Sequence, residues 1–210
     1  ELPPGAFFQL NRVLLASRLP CRVAWARIRR VAGNAPYVAW ATVNDAVTGD
    51  ASIVAAVPED LPEPWRFEFP AAVQSERFAT ELVLTNPGES SARATFGLAG
   101  LGTFAQDLAP GEVFVVDDLF AEMRRRDPVG ALPAGVPLVG SLAVTGVLGG
   151  VRVTTTRGSA RFGVFEPPAA TEAASVVVPD LRRDSATRTN LAIANGYGFG
   201  GPPRFRLEVH

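Results

Sequence analysis

The chain has 210 residues, 47% of them hydrophobic and 20% charged, with a formal net charge of −1. These figures exclude a disordered polymer and leave no electrostatic footprint for nucleic acid or an anionic membrane surface. All 20 cationic residues are Arg, which excludes Lys-dependent chemistry such as Schiff bases, phosphate-binding P-loops and Lys–Asn isopeptide bonds.

The single cysteine, Cys21, permits no intrachain disulfide, and between Arg22, Val23 and Trp25 it reads as small apolar filler. No apolar run approaches the 18 residues a membrane-spanning helix needs. Gly and Pro (20 and 18) are scattered between apolar stretches, the pattern of many short strands and turns.

In chain order, Leu2–Asn11 carries a Pro-Gly turn and then alternating residues, predicting a strand that leads into a short helix. Asn11 stands at the N-cap, and Val13 and Leu14 pin the helix. The same pattern recurs 106 residues on, in Leu108–Asp117. Pro4 meets Pro110, Gly5 meets Gly111, Phe8 meets Phe114, Leu10 meets Val116 and Asn11 meets Asp117. In this copy Asp117 is the expected N-cap, and Leu119, Phe120 and Met123 face the sheet. Arg124, Arg125 and Arg126 complement the helix dipole while staying solvated.

Arg22–Val31 and Tyr37–Val43 alternate bulky and small residues around Ala32–Asn34 and predict a β-hairpin. Ser141–Val147 and Val151–Thr155, hinged on Gly149 and Gly150, predict its equivalent. Asn44–Asp50 then turns the chain into Ser52–Val57, as the shorter Arg157–Ala160 turns it into Arg161–Phe165.

Pro58–Pro64 and Glu166–Ala174 are proline-dense connections one period apart, and they mark unit boundaries. Strands resume at Trp65–Phe69 and Ser175–Val178. The clearest repeat follows: Arg77–Asn86 and Thr187–Asn195 superpose at a shift of 109 residues. That shift carries Leu82 onto Leu191, Leu84 onto Ile193 and Asn86 onto Asn195, and also Pro70 onto Pro179 and Pro58 onto Pro167. A turn then leads into Ala92–Leu98 in one copy and Arg204–Val209 in the other.

Seven or eight strands and one short helical turn in residues 65–166 predict an all-β fold, an antiparallel β-sandwich of immunoglobulin-like size; a barrel fits the same count. Residues 65–166 form a complete unit. Residues 1–64 supply the second half of a unit and 167–210 the first half, so together they make a second one. A half-sandwich leaves an apolar face and strand edges open. The two pieces are therefore expected to meet, either within one chain or head to tail between chains.

Chemistry is sparse. His210 is the only histidine, and no GxSxG, HExxH, GxGxxG or P-loop is present, so a non-catalytic protein is expected. Asn44, Asp45 and Asp50 are oxygen ligands for Ca²⁺ on one loop, although the same residues shape a tight turn without metal. Trp25, Trp40 and Trp65 compose a sugar-binding platform or, equally, core. Tyr197 and Phe199 sit in a Gly-rich loop, Asn195–Pro203, that offers a partner contact or a long turn.

The motifs RFATELVLTNPGESSARATF, LAPGEVFVVDDLF and YVAWATVNDAVTGDASIVAAVP resemble the tandem β-sandwich repeats of secreted and cell-surface bacterial proteins. The resemblance spans nearly the whole chain, and it rests on turn and core patterns. It implies an extracellular or cell-surface structural or adhesive module. Its partners would be neighbouring repeats or copies of itself, glycans or surface proteins, and its signal segment would lie outside this chain. The second copy departs from the pattern, with RGSARFGVFEP lacking T-G-D and NGYGFGGPP replacing N-P-G.

Overall fold

The computed structural model describes residues 8, 9, 11, 23–33, 38–44, 51–58, 65–98, 101–126, 132–133, 135–157 and 160–166. The chain divides into two units, residues 1–33 and 34–210. In the first, the described residues 23–33 carry no strand, contrary to the hairpin expected from Arg22–Val31. A strand needs a laddered neighbour. Of the partner expected for this run, Trp40–Asn44 (β1) pairs antiparallel with Ala51–Ala55 (β2).

The second unit continues with β3 (Arg66–Gln74), β4 (Ala79–Thr85), β5 (Ala92–Leu98), β6 (Gly102–Leu108) and β7 (Val113–Val116). A helix, α1 (Leu119–Arg126), precedes β8 (Leu138–Thr145), β9 (Leu148–Arg157) and β10 (Ala160–Glu166). Every ladder is antiparallel. Strands β3-β8-β5-β6 form one four-stranded sheet and β10-β9-β4-β7 another, with β1-β2 a separate pair. The architecture is all-β and sandwich-like: Phe67, Phe69, Phe96 and Leu142 of the first sheet and Leu82, Leu84 and Val151 of the second share one buried core.

Alternation explains the inner faces. In β4, Thr80, Leu82 and Leu84 are buried while Ala79, Glu81 and Val83 are half-buried, the period-2 signature of a strand with one face inward. In β5 the buried hydrophobic side chains are Ala94, Phe96 and Leu98, and Gly97 between the last two is buried as well. β3 breaks its register between Phe69 and Ala72, where Pro70 supplies no N–H to the ladder. In α1, Leu119, Phe120 and Met123 are fully buried, as their helical spacing predicts. The cap is one residue later than expected. Asp118, not Asp117, accepts the Ala121 N–H on its side chain at 3.0 Å, because the chain is still extended at Val116 and bends at Asp117.

The expected hairpin of Ser141–Val147 with Val151–Thr155 is corrected. β8 and β9 lie in different sheets, joined by a turn at Gly146 with φ of 86°. Gly149 is not a hinge but part of β9, where a Cβ would lie 3.1 Å from Val144 Cγ1 and 3.3 Å from Phe69 Cε2. Its missing side chain lets the two sheets approach closely. Within the two four-stranded sheets, β5–β6 and β9–β10 are hairpins, whereas β3–β4, β4–β5, β6–β7, β7–α1–β8 and β8–β9 all cross between sheets.

Candidate functional site

Polar side chains gather where the chain crosses between sheets. At the β4–β5 crossing, Asn86 is 3% exposed and fully engaged. Its side-chain amide donates to the carbonyl oxygens of Ser90 (2.8 Å), Ala109 (3.0 Å) and Leu108 (3.2 Å), and its own oxygen accepts the Gly88 N–H at 3.0 Å. Its backbone exchanges bonds with Glu112 and Gly111 in the β6–β7 turn. One side chain thus ties two crossings together. At the β3–β4 crossing, Thr80 Oγ1 accepts from Val73 N at 2.7 Å and donates to Val73 O at 2.9 Å, bridging the sheets beside the bulge.

The α1 crossing uses the arginine run. Arg126 donates to Ala105 O at 2.8 Å, Gln106 Oε1 at 2.9 Å and Glu122 Oε1 at 2.7 Å, and its guanidinium lies over the rings of Phe96 and Phe114. Arg125 makes a two-pronged pair with Glu122, and Arg124 donates to Gln74 Oε1 at 2.7 Å. Gln74 also donates to Asp118, so the end of β3 holds both ends of the helix. The expectation of a purely solvated Arg cluster is therefore corrected: Arg126 keeps only 18% of its side chain exposed because the cations brace the helix against β5, β6 and β7.

A shallow surface cleft of about 410 Å³ opens between β7 and α1, lined by Phe114, Val116, Asp117, Asp118, Glu122 and Arg125. The hydrogen bond from Arg125, aided by Arg126, holds the Glu122 carboxyl down at about 2. A carboxylate so stabilised stays ionised at neutral pH and does not serve as a general acid. Burial pushes the Glu166 carboxyl up, at the end of β10 opposite Val151. Among the described residues no group of three or more His, Cys, Asp and Glu side chains is placed to hold a metal ion.

The residues singled out in the sequence fall as follows. Asn44 is exposed at the end of β1, whereas Asp45 and Asp50 lie outside the described residues, as do Tyr197 and Phe199. Trp25, in the first unit, is half-buried with the Arg27 guanidinium 5.2 Å from its ring centroid. Trp65 packs against the core of the two sheets, and its buried Nε1 has no hydrogen-bond partner. Trp40 is 51% exposed on the β1–β2 pair. Trp65 is half-buried, whereas Trp40 lies on the separate β1–β2 pair. Sequence reasoning missed Thr80 and Gln74, although Thr189 standing 109 residues from Thr80 was a readable signal.

No helix among the described residues is long and apolar enough to cross a membrane. No protein-family model matches the chain, and no curated protein or solved structure matches it either.

Proposed function

We propose that the protein is a non-catalytic, extracellular or cell-surface structural element, built from immunoglobulin-like β-sandwich repeats of about 109 residues and adhesive toward neighbouring repeats. The observation that carries this reading is where the buried polar groups go. Ser52, Thr80, Asn86 and Thr154 each bond to backbone of another segment, which stiffens a scaffold and leaves none of the four facing a substrate. Residues 65–166 act as one unit, and 1–64 with 167–210 make the second, either by closure within a chain or by head-to-tail pairing between copies. No cofactor is required, and no nucleic acid is a partner.

A carbohydrate- or protein-binding accessory module is the second reading, favoured by the exposure of Trp40. Affinity electrophoresis against a panel of polysaccharides tests the first against it. The structural reading expects no retardation by any polymer. Retardation that disappears in Trp40→Ala would sink it and install the accessory module. Sizing with light scattering separates the two routes to the second unit: a 22.2 kDa species at every concentration means closure within the chain, and ladders mean pairing between copies.

A further inference from the structure

Strand β6 ends its four-stranded sheet, and among the described residues it pairs with β5 alone. Gly102, Thr103 and Asp107 along it are exposed. A side chain rather than a strand engages its middle. Arg126 Nη1 donates to the Ala105 carbonyl at 2.8 Å and Nη2 to Gln106 Oε1 at 2.9 Å, while Glu122 Oε1 accepts Nε at 2.7 Å. The guanidinium carbon lies 5.4 Å from the Phe96 ring centroid on β5 and 5.8 Å from that of Phe114 on β7. One cation thus joins the edge strand, both sheets and the helix. A strand adding to β6 would have to take the Ala105 carbonyl from Arg126 and leave that cation without its donors' partners.

We propose that Arg126 guards the β6 edge, keeping residues 65–166 from pairing along that strand with a second copy of the chain. The strand it excludes is β6 of the other copy, because β6 is complementary to itself. Paired antiparallel about a two-fold axis at Ala105, Phe104 lies opposite Gln106 and Thr103 opposite Asp107. Asp107 is the only charged residue of the strand, so no like charges meet. The two four-stranded sheets would join into one continuous sheet. The guard acts on the complete unit, so it holds whether residues 1–64 and 167–210 close within a chain or between chains.

Full-length chains carrying Cys21→Ser and Ala105→Cys test this, with Arg126 intact or replaced by Met. Methionine keeps an apolar stem against Phe96 and Phe114 but has no N–H to donate. Ala105 lies opposite Thr95, on the face away from Phe96 and Phe104, so its side chain leaves the core untouched. Across the two-fold axis the two thiols face each other with Cβ atoms about 5 Å apart, within disulfide reach. The expected result is an interchain disulfide forming at least about tenfold faster in Arg126→Met than with Arg126 intact. Adding Thr103→Asp to Arg126→Met sets two carboxylates against each other on both sides of the axis, and should restore the slow rate. Equal rates with and without Arg126 would overturn the guard. Fast crosslinking that survives Thr103→Asp would come from a loosened core rather than from paired β6 strands, and would overturn it too.

Discussion

Asn86 reaches across two sheet crossings to the carbonyl oxygen of Ala109, 3.0 Å from its side-chain nitrogen, and returns to the same turn through its backbone bonds with Glu112 and Gly111. Removing the amide leaves the carbonyl of buried Leu108 without this donor. Asn86→Ala is expected to lower unfolding stability by about 2–4 kcal/mol. Asn86→Asp keeps the acceptor for Gly88 but loses the donors, and should fall close to Ala. Urea unfolding monitored by near-ultraviolet circular dichroism reads both.

Thr80 makes a reciprocal pair with Val73 where β3 bulges. Thr80→Val conserves shape and buries the same volume but strands a backbone N–H, with an expected loss of about 1–3 kcal/mol. Thr80→Ser retains the hydroxyl and should recover most of it. Equal losses in the two variants would show that the methyl, not the hydroxyl, is what the site requires.

Gly146 combines a φ of 86° with a position where a Cβ would collide with the Arg93 carbonyl. Gly146→Ala is expected to cost more than about 2 kcal/mol, strain and overlap acting together. Gly135 has a similar φ of 77° with open space around it, and Gly135→Ala is expected to cost about 1 kcal/mol. Thermal unfolding of the two variants side by side separates crowding from backbone strain.

Two carboxylates act in opposite directions on acid stability. Glu122 is held at about 2, below its ordinary 4.5, so its contribution is complete above pH 4.5 and is lost as pH falls toward 2. Glu166 is raised by burial, so its contribution is present below pH 4.5 and is lost as pH rises through its elevated value. Because Arg125 is 69% exposed, screening limits the Glu122 term to about 1 kcal/mol. Glu122→Gln should flatten stability between pH 4.5 and 2 and leave the Glu166 window unchanged, as measured by denaturant titrations at stepped pH.

Local rules made the strands and the helix readable. The alternation in Ala79–Thr85 and Ala92–Leu98 marks one buried face each, and the spacing of Leu119, Phe120 and Met123 marks the helix against the core. Sheet membership was not readable, because it depends on contacts far apart in sequence. Gly149 and Gly150 look like a hinge locally, yet Gly149 lies inside β9 against Val144 and Phe69. The arginine run misled for the same reason, since the partners of Arg126 at Ala105 and Gln106 lie some 20 residues away. Of the candidate site residues, Trp65 packs against the core, a burial that composition alone does not set.

Mechanical unfolding of single full-length chains pulled from their ends reads whether a second folded unit closes within one chain. Residues 65–166 sit between the two pieces of the second unit, so closure within one chain gives two separate ruptures. The first opens the unit made from 1–64 and 167–210, and the second releases about 100 further residues, roughly 35 nm of chain. A single rupture of that size, preceded by compliant extension of everything else, would contradict closure of a second unit within one chain and leave only pairing between copies.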